Sequence, residues 1–370
     1  METWLAALLL PLSGLIAGGV LGYVARRNFF CTLSALEQHW YANNSSGLRT
    51  WVLAATFAAL ITQALSWLSI ADPSGAIYLA PSFGWLGAIV GGLAFGFGMA
   101  LVGTCGFGAL VRLGGGSLKS LISVLVLGLS ALSTLRGLLA IGRTQAVEPV
   151  SVTFSAAGSQ SIPAIAGSWA GSWATLPVTL LLLAAPFAWV FADGKFRRNG
   201  RAIGTALTVG MVVAFGWVAT PWLASVAFEP VRIQSASFVT PVAETIMQFV
   251  VFTGVGPNYG VGMVIGTVLG SMIAARSADD VRWEACEDAR ELSRHILGGI
   301  CMGFGGVLAL GCTIGQGISA WSVLAVSVPV VMVSIVFGAR MGLAWLIEGS
   351  ALSPVRHSAI VLRLSRLLER

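Results

Sequence analysis

Charged residues are scarce in this chain of 370 residues, where Asp, Glu, Lys and Arg make up 10% of the sequence against 56% hydrophobic residues. Soluble domains usually carry about a quarter charged residues, so the composition excludes an ordinary water-soluble protein. The mean hydropathy of +0.86 points the same way. The chain is therefore expected to lie in a bilayer, surrounded by membrane lipid.

Cysteine and histidine are also few. The five cysteines include no C-x-x-C pair and there are three histidines, which argues against a disulfide scaffold or a zinc site, and no cofactor is expected. The sequence has no paired run of apolar-flanked Asp, Glu or His typical of a proton relay, and no acidic ring typical of a cation filter. A ligand of this protein is therefore expected to be an anion.

Nine apolar runs could cross a membrane as helices, which takes roughly 20 residues each. They cover residues 4–23, 51–70, 83–102, 118–141, 173–191, 202–224, 259–275, 296–310 and 318–337, the eighth being short and rich in glycine. The first run lacks a basic segment before it, so we interpret it as a retained span and not a signal peptide. These features predict an all-α polytopic membrane protein.

The basic residues predict the orientation of the chain, because Lys and Arg in short loops are retained in the cytoplasm. They gather after the first, third, fifth and seventh spans, for example at Arg26 and Lys195. The exceptions, on or near the opposite face, are Arg136, Arg143 and Arg232. We expect a bacterial inner-membrane protein with a periplasmic N-terminus and a cytoplasmic C-terminus. Topology accounts for the net charge of +6, and no nucleic-acid partner is expected.

An internal repeat relates the two halves of the chain. Shifted by 207 positions, residues 89–108 align with residues 296–315 without a gap, and nine of the twenty positions are identical. Both copies read G-G-x-x-x-G-F-G-x-x-L-x-x-x-C-x-x-G. Glycine matches arise easily in membrane spans, but the shared Phe, Leu and Cys favour a true repeat.

The same shift carries spans one to four onto spans six to nine, and span five crosses alone. The halves then run in opposite directions, and inverted repeats of this kind place a binding site where they meet, near the membrane midplane. We predict a first half at residues 1–142, a connecting region with span five at 143–201, a second half at 202–345, and an amphipathic tail on the cytoplasmic surface at 346–370. A similar glycine spacing in spans one and seven is interpreted as helix packing.

Each copy of the repeat ends in a glycine-flanked cysteine, Cys105 in G-T-C-G-F-G and Cys312 in G-C-T-I-G-Q-G. Such stretches should interrupt a helix, and irregular backbone at membrane depth is tolerated only where it is packed in protein or lines a cavity. We expect re-entrant loops, each followed by a short helix whose free N–H groups and positive dipole end form an anion site. Thiols are weak donors, which suits a filter that must also release its ion.

Further candidates lie close to these loops. Cys31 occurs in R-R-N-F-F-C-T, before a short amphipathic stretch, and its counterpart near Val239 is not a cysteine. For Cys31 a packing role explains the residue equally well. Cys286 and Cys301 are interpreted as packing residues, because neither adjoins a glycine break. The loop residues that could contact an oxyanion, or simply cap a helix, are Thr104, Gly106, Thr313 and Gln316.

The three cysteine segments together resemble the YeeE/YedE family of sulphur-compound transporters, over nearly the full chain. The resemblance implies an hourglass-shaped protein of inverted repeats, with nine spanning helices, short re-entrant ones, and three cysteines along the route, here Cys31, Cys105 and Cys312. It implies passage of thiosulfate or a related reduced-sulphur anion by successive S–H hydrogen bonds. It also implies a separate cytoplasmic sulphur carrier with a C-P-x-P motif, which does not occur in this sequence.

Two other functions stay open at the level of sequence. A thiolate could attack the sulfane sulphur and form a persulfide, which would make the protein a membrane sulphur transferase. Transport is favoured, and enzymatic activity is not expected, because no adjacent His or Lys is placed to activate a thiol. The chain could instead be a sensor or permease component of a sulphur-oxidation or selenium system.

Overall fold

The computed structural model describes residues 2–227, 231–252 and 256–349, and most of this part of the chain is helical. The helices are α1 (Glu2–Asn28), α2 (Thr32–Ala42), α3 (Ser46–Trp67), α4 (Trp85–Val102), α5 (Gly106–Gly114), α6 (Leu118–Arg136), α7 (Leu138–Gly142), α8 (Ile162–Ala170), α9 (Thr175–Phe191), α10 (Gly194–Arg197), α11 (Gly200–Val226), α12 (Val239–Val250), α13 (Tyr259–Ser277), α14 (Ala289–Leu308) and α15 (Ser327–Glu348). Strands β1 (Ser82–Phe83) and β2 (Val152–Thr153) form one short antiparallel pair. Most of the predicted tail lies outside the described residues.

Eight segments of the described chain are long and apolar enough to cross a membrane, which confirms a multi-pass, all-α membrane protein. They are Leu8–Ala42, Ser46–Trp67, Trp85–Gly114, Leu118–Arg136, Ser172–Phe191, Gly200–Val226, Tyr259–Ser277 and Ser327–Glu348. The predicted span at 296–310 falls within α14, which begins with a charged turn containing Arg290, Glu291 and Arg294. That turn lowers the apolar character of α14 below that of the other eight segments.

Two predicted spans had wrong boundaries. The span placed at 318–337 is helix α15, which begins only at Ser327 and is preceded by a π-helical turn at Gly315–Ala320. The span placed at 118–141 ends at Arg136, because Gly137 takes an extended conformation before α7. In both cases an apolar run continues past the helix, and an apolar run alone cannot separate a helix from a buried irregular segment.

Helices α1 and α13 pack at very short range through glycine. A Cβ added at Gly14, Gly18 or Gly22 would collide with backbone carbonyl oxygens of α13. Glycines of α13 face the backbone of α1 in the same way. Small residues let two backbones approach closely, which is how helices associate where lipid offers no hydrophobic drive. The interpretation of this glycine spacing as helix packing is confirmed.

The packing partners of the helices correspond across the 207-residue shift. Helix α4 packs on α15, and α14 packs on α6. Helix α1 packs on α13, and α11 packs on α3. The shift carries α1, α3, α4 and α6 onto α11, α13, α14 and α15, so each pair has its counterpart in the other half. An internal two-fold repeat would produce this pattern; the repeat itself and the opposite orientation of its halves in a membrane stay predictions.

Candidate functional site

Helix α4 ends where the sequence predicts a break. Gly103 takes a left-handed backbone conformation with φ of 75°, which costs least for glycine. Cys105 follows in an extended conformation and caps α5, because its Sγ accepts the Gly108 N–H at 3.5 Å. A thiol sulphur thus occupies the place usually held by a Ser, Thr or Asp oxygen.

The second copy follows the same plan with a different residue at the turn. The position that matches Gly103 is Leu310, which is also left-handed with φ of 56°. Cys312 follows, and its Sγ accepts the Gly315 N–H at 3.4 Å. The chain then enters the π-helical turn instead of a regular α-helix. Both cysteines of the repeat therefore start a short helical segment immediately after a break.

The first residues of α2 contact both broken segments. The Cys31 Sγ lies 3.8 Å from the Thr104 Oγ1 in the first segment. The Thr32 hydroxyl donates to the Thr313 hydroxyl in the second segment at 3.2 Å. Cys31 is half-buried, whereas Thr104 and Thr313 are fully enclosed. Helix α2 thus holds the two loops together at one point.

The three cysteines predicted to line a route lie in one cluster. The Thr313 side chain and the Gly108 N–H contact the Cys105 thiol, and the Cys31 and Cys312 thiols lie close enough to act on it electrostatically. Cys105 and Cys312 are fully buried, with exposed fractions of 1% and 0%. We call this group the thiol cluster; its members are Cys31, Cys105, Cys312, Thr32, Thr104 and Thr313.

The remaining predicted residues have other contacts. The Gln316 side-chain amide donates to the Ala309 carbonyl at 2.7 Å and accepts from the Ser327 hydroxyl at 3.2 Å, so it fixes the turn before α15. Gly106 is the first residue of α5 and packs near Leu127 of α6. Gln316 and Gly106 follow the two capping cysteines closely in the chain, and their part in binding a ligand stays a prediction.

A polar cavity lies on one side of the thiol cluster, where α1 ends and α3 begins. Cys31 lines it, so we call it the Cys31 cavity. The polar side chains in its lining are Asn28, Ser34, Gln38, Asn44, Ser46, Thr50, Asn199, Arg201 and Thr205. Within it, the Asn28 amide donates to the Thr205 hydroxyl at 2.7 Å and links α1 to α11.

A second cavity, of about 560 Å³, is lined by Arg232 and Ser235, which follow the end of α11, whereas Asn199 and Arg201 at the start of α11 line the Cys31 cavity. Helix α11 has 27 residues and spans about 40 Å, so the two cavities lie near opposite ends of this helix. We call the second cavity the arginine cavity, because Arg136, Arg143 and Arg232 line it together with Tyr78 and Ser237. Arg143 pairs with a Glu148 carboxylate at 2.8 Å and Arg232 with Glu244 at 3.1 Å.

The arginine cavity explains an observation that sequence reasoning left as an exception. The three arginines that depart from the charge rule converge on one cavity instead of scattering over a surface. The sequence did single out these three arginines, because they are the only basic residues assigned to the less basic face of the membrane, and this could have indicated a site there. Tyr78 and Ser237 gave no signal, because their contacts arise only when separate loops fold together.

A helical membrane protein with two broken helices, a cluster of buried and half-buried thiols and a cavity on each side of that cluster has the construction of a transport protein. The family described as "Sulphur transport" matches residues 27–341 of the chain. The protein therefore belongs to this sulphur transport family, which confirms the resemblance to YeeE/YedE. Membership makes it a transporter and not an enzyme.

Two relatives are each named thiosulfate transporter TsuA. The one from Escherichia coli (strain K12) is 27% identical over 321 residues, which cover 83% of this chain and 86% of the relative. The one from Spirochaeta thermophila is 25% identical over 355 residues, which cover 90% of this chain and 98% of the relative. The similarity therefore extends over both halves and the connecting region.

Proposed function

We propose that this protein carries thiosulfate, or a closely related reduced-sulphur anion, across the bacterial inner membrane through the thiol cluster. The observation that carries the proposal is the placement of Cys105 and Cys312, each capping a short helical segment, with the Cys31 and Cys312 thiols within electrostatic range of the Cys105 thiol. The name of the two relatives supports thiosulfate as the substrate.

The capping geometry decides what the thiols offer to a ligand. Each capping sulphur accepts a backbone N–H, so its own S–H proton can point away from the helix and donate. The free N–H groups and the dipole of the helix start add favourable potential for a negative charge. Because S–H is a weak donor, the anion is held loosely and can pass to the next thiol. The Thr104 and Thr313 hydroxyls add two neutral donors.

Hydrogen-bond transfer is favoured over a persulfide mechanism. Among the described residues, the neighbours of the Cys105 thiol include no His or Lys that could take up its proton. A nucleophilic thiol normally needs such a base or a lowered pKa. We therefore infer that the anion crosses intact and that the cysteines stay thiols.

The charge pattern supports a direction for the pathway. With the N-terminus in the periplasm, the arginine cavity opens outward and the Cys31 cavity opens toward the cytoplasm. Arginines at the mouth would raise the local concentration of an anion. The anion would then pass Cys312, Cys105 and Cys31 in turn, between two inverted halves. A separate C-P-x-P carrier protein would receive it in the cytoplasm.

Uptake of thiosulfate labelled separately on its two sulphur atoms tests the proposal. The full-length protein in proteoliposomes should import both labels in equal amounts, and protein-free liposomes should import neither. One label retained on the protein would support the sulphur transferase instead. The absence of protein-dependent uptake of either label would reject thiosulfate as the substrate.

A further inference from the structure

Tyr78 lies between the arginine cavity and the thiol cluster. It sits in the short 3-10 turn Ile77–Leu79, in the loop between α3 and α4. Its side chain is 6% exposed and yet lines the arginine cavity. A tyrosine in this position closes the inner end of the cavity.

The Tyr78 hydroxyl reaches the helix start that carries Cys312. A Cβ added at Gly315 would lie 3.1 Å from the Tyr78 hydroxyl and 2.8 Å from the Ser237 Oγ. Gly315 is the residue whose N–H is bound by the Cys312 sulphur. The Ser237 hydroxyl lies beside the Tyr78 hydroxyl, and the Cys312 thiol is close enough to act on it electrostatically. Two hydroxyl groups therefore stand between the arginines and the first thiol.

The ring of Tyr78 is held from behind by an aromatic contact. It meets the Trp217 ring edge to face, with centroids 6.5 Å apart. The Trp217 indole N–H in turn donates to the Ser322 hydroxyl at 2.8 Å. An edge-to-face pair fixes a ring more specifically than area burial alone.

The loop that carries Tyr78 is latched to the second half of the chain by Gln160. The Gln160 side-chain amide donates to the carbonyls of Ala80 and Ser82 at 2.6 and 2.8 Å. Its backbone carbonyl accepts the Val326 N–H at 2.9 Å, just before α15. Gln160 is 2% exposed, so these bonds are shielded from competing water. One residue of the connecting region thus fixes the position of the Tyr78 loop.

We propose that Tyr78 is the gate between the arginine cavity and Cys312, closed by its ring and held shut by Gln160, and that its hydroxyl with that of Ser237 delivers the anion to the thiol. The delivery step rests on the proposed function, whereas the closure does not. Hydroxyl groups bind an anion without adding charge, so they can receive it from the arginines and release it to a weaker donor.

Cysteine accessibility tests the closure independently of transport. A small anionic methanethiosulfonate reagent is applied to right-side-out and to inside-out vesicles containing the full-length protein, and modification of Cys312 is quantified by peptide mass spectrometry. Tyr78→Ala should raise the modification rate about tenfold from the side of the arginine cavity, because it removes the ring. Gln160→Ala, which leaves the ring in place but frees its loop, should raise the rate in the same direction.

Tyr78→Phe is the matched variant, because it keeps the ring and removes the hydroxyl. It should leave Cys312 modification slow but lower thiosulfate uptake about tenfold, as expected for the loss of one hydrogen bond to an anion. An unchanged modification rate in both Tyr78→Ala and Gln160→Ala would overturn the gate. A different result is that the wild-type protein shows no more thiosulfate uptake than empty liposomes while the Cys312 modification rates change in the variants as expected. That result would overturn the proposed function and leave the gate supported.

Discussion

At the scale of single residues, the proposed route gives sulphur a structural task and a chemical task at the same atom. Oxygen caps are the rule at helix starts, so a cysteine at two corresponding helix starts costs some cap strength. A serine hydroxyl would accept the same backbone N–H at least as well as the thiol does. A Cys→Ser substitution should therefore preserve stability and change only transport. The two tasks can therefore be tested with one substitution.

Cys105→Ser and Cys312→Ser should each keep the thermal stability of the protein and lower thiosulfate uptake about tenfold. The hydroxyl retains the bond to the Gly108 or Gly315 N–H, but it is a stronger donor that slows release of the anion. Melting in detergent and uptake in proteoliposomes measure the two effects. Cys301→Ser is the matched control and should transport normally. Normal uptake in both cap variants would remove the thiols from the mechanism.

Gly108 and Gly315 should not tolerate a methyl group. A Cβ at Gly108 would collide with the Thr104 hydroxyl, and one at Gly315 would lie 2.8 Å from the Ser237 Oγ. Overpacking of this kind typically costs about 1–3 kcal/mol and shifts the groups it touches. We expect either alanine variant to lose most of its uptake. Gly204→Ala, with nothing within 4 Å of the added Cβ, should behave as wild type in the same assay.

The residues of the candidate site were predictable in part. Cys105 and Cys312 stand out because a motif of identical letters surrounds both, and Thr104 and Thr313 adjoin them. Tyr78 and Ser237 could not be found, because neither lies in a motif and their meeting depends on how two loops fold. Gln316 stays a predicted donor for a ligand; one N–H of its amide donates to the Ala309 carbonyl, and the second N–H is still available.

At the scale of helices, the apolar composition of a segment predicted well that a helix is present, but it predicted poorly where that helix begins and ends. Helix α13 was found almost in full, because polar residues follow it. The start of α15 was missed, because residues 318–326 are nearly as apolar as the helix itself and are buried without forming a regular one. A segment buried inside the protein and a segment buried in lipid are both apolar, so the sequence does not distinguish them. Only the glycines before residue 318 indicated irregular backbone.

The contact between α1 and α13 should discriminate between adjacent glycines. Gly18→Val would drive a side chain into the Met263 carbonyl, whereas the nearest atom to a Cβ at Gly19 is the Gly266 oxygen at 3.8 Å. We expect Gly18→Val to destabilise the protein by about 3 kcal/mol or to prevent its assembly. Gly19→Val should stay within about 1 kcal/mol of wild type. Thermal unfolding monitored by size-exclusion chromatography in detergent would show the difference, and equal melting would contradict the packing described.

At the scale of the whole molecule, charge is sorted between two ends. Among the described residues, most Lys and Arg lie toward the Cys31 cavity, while Arg136, Arg143 and Arg232 are concentrated in the arginine cavity. In the predicted orientation, the topology rule disfavours arginine at the outer end, whereas the proposed attraction of an anion favours it there. Confining a few cations to a concave site meets both, because the surrounding surface stays poor in charge.

Removing charge from the arginine cavity should weaken capture of the anion. We expect Arg136→Gln to raise the KM for thiosulfate roughly three- to fivefold with little change in the maximal rate, because one charge near a surface contributes on the order of 1 kcal/mol. Added salt should raise the wild-type KM and have less effect on the variant. Initial uptake rates against concentration measure both. Arg276→Gln, on the end of α13, is the matched control; an equal change there would point to net charge and not to the cavity.

The two halves differ at one telling position. Where the first half has Cys31 before α2, the matching residue before α12 is Phe238, which is fully buried against Phe107 with ring centroids 4.8 Å apart. In the proposed route, two halves with identical ends would give the pathway no intrinsic polarity. A thiol at one end and a hydrophobic ring at the matching position make the two ends chemically unequal, so a single side chain can distinguish one direction of passage from the other.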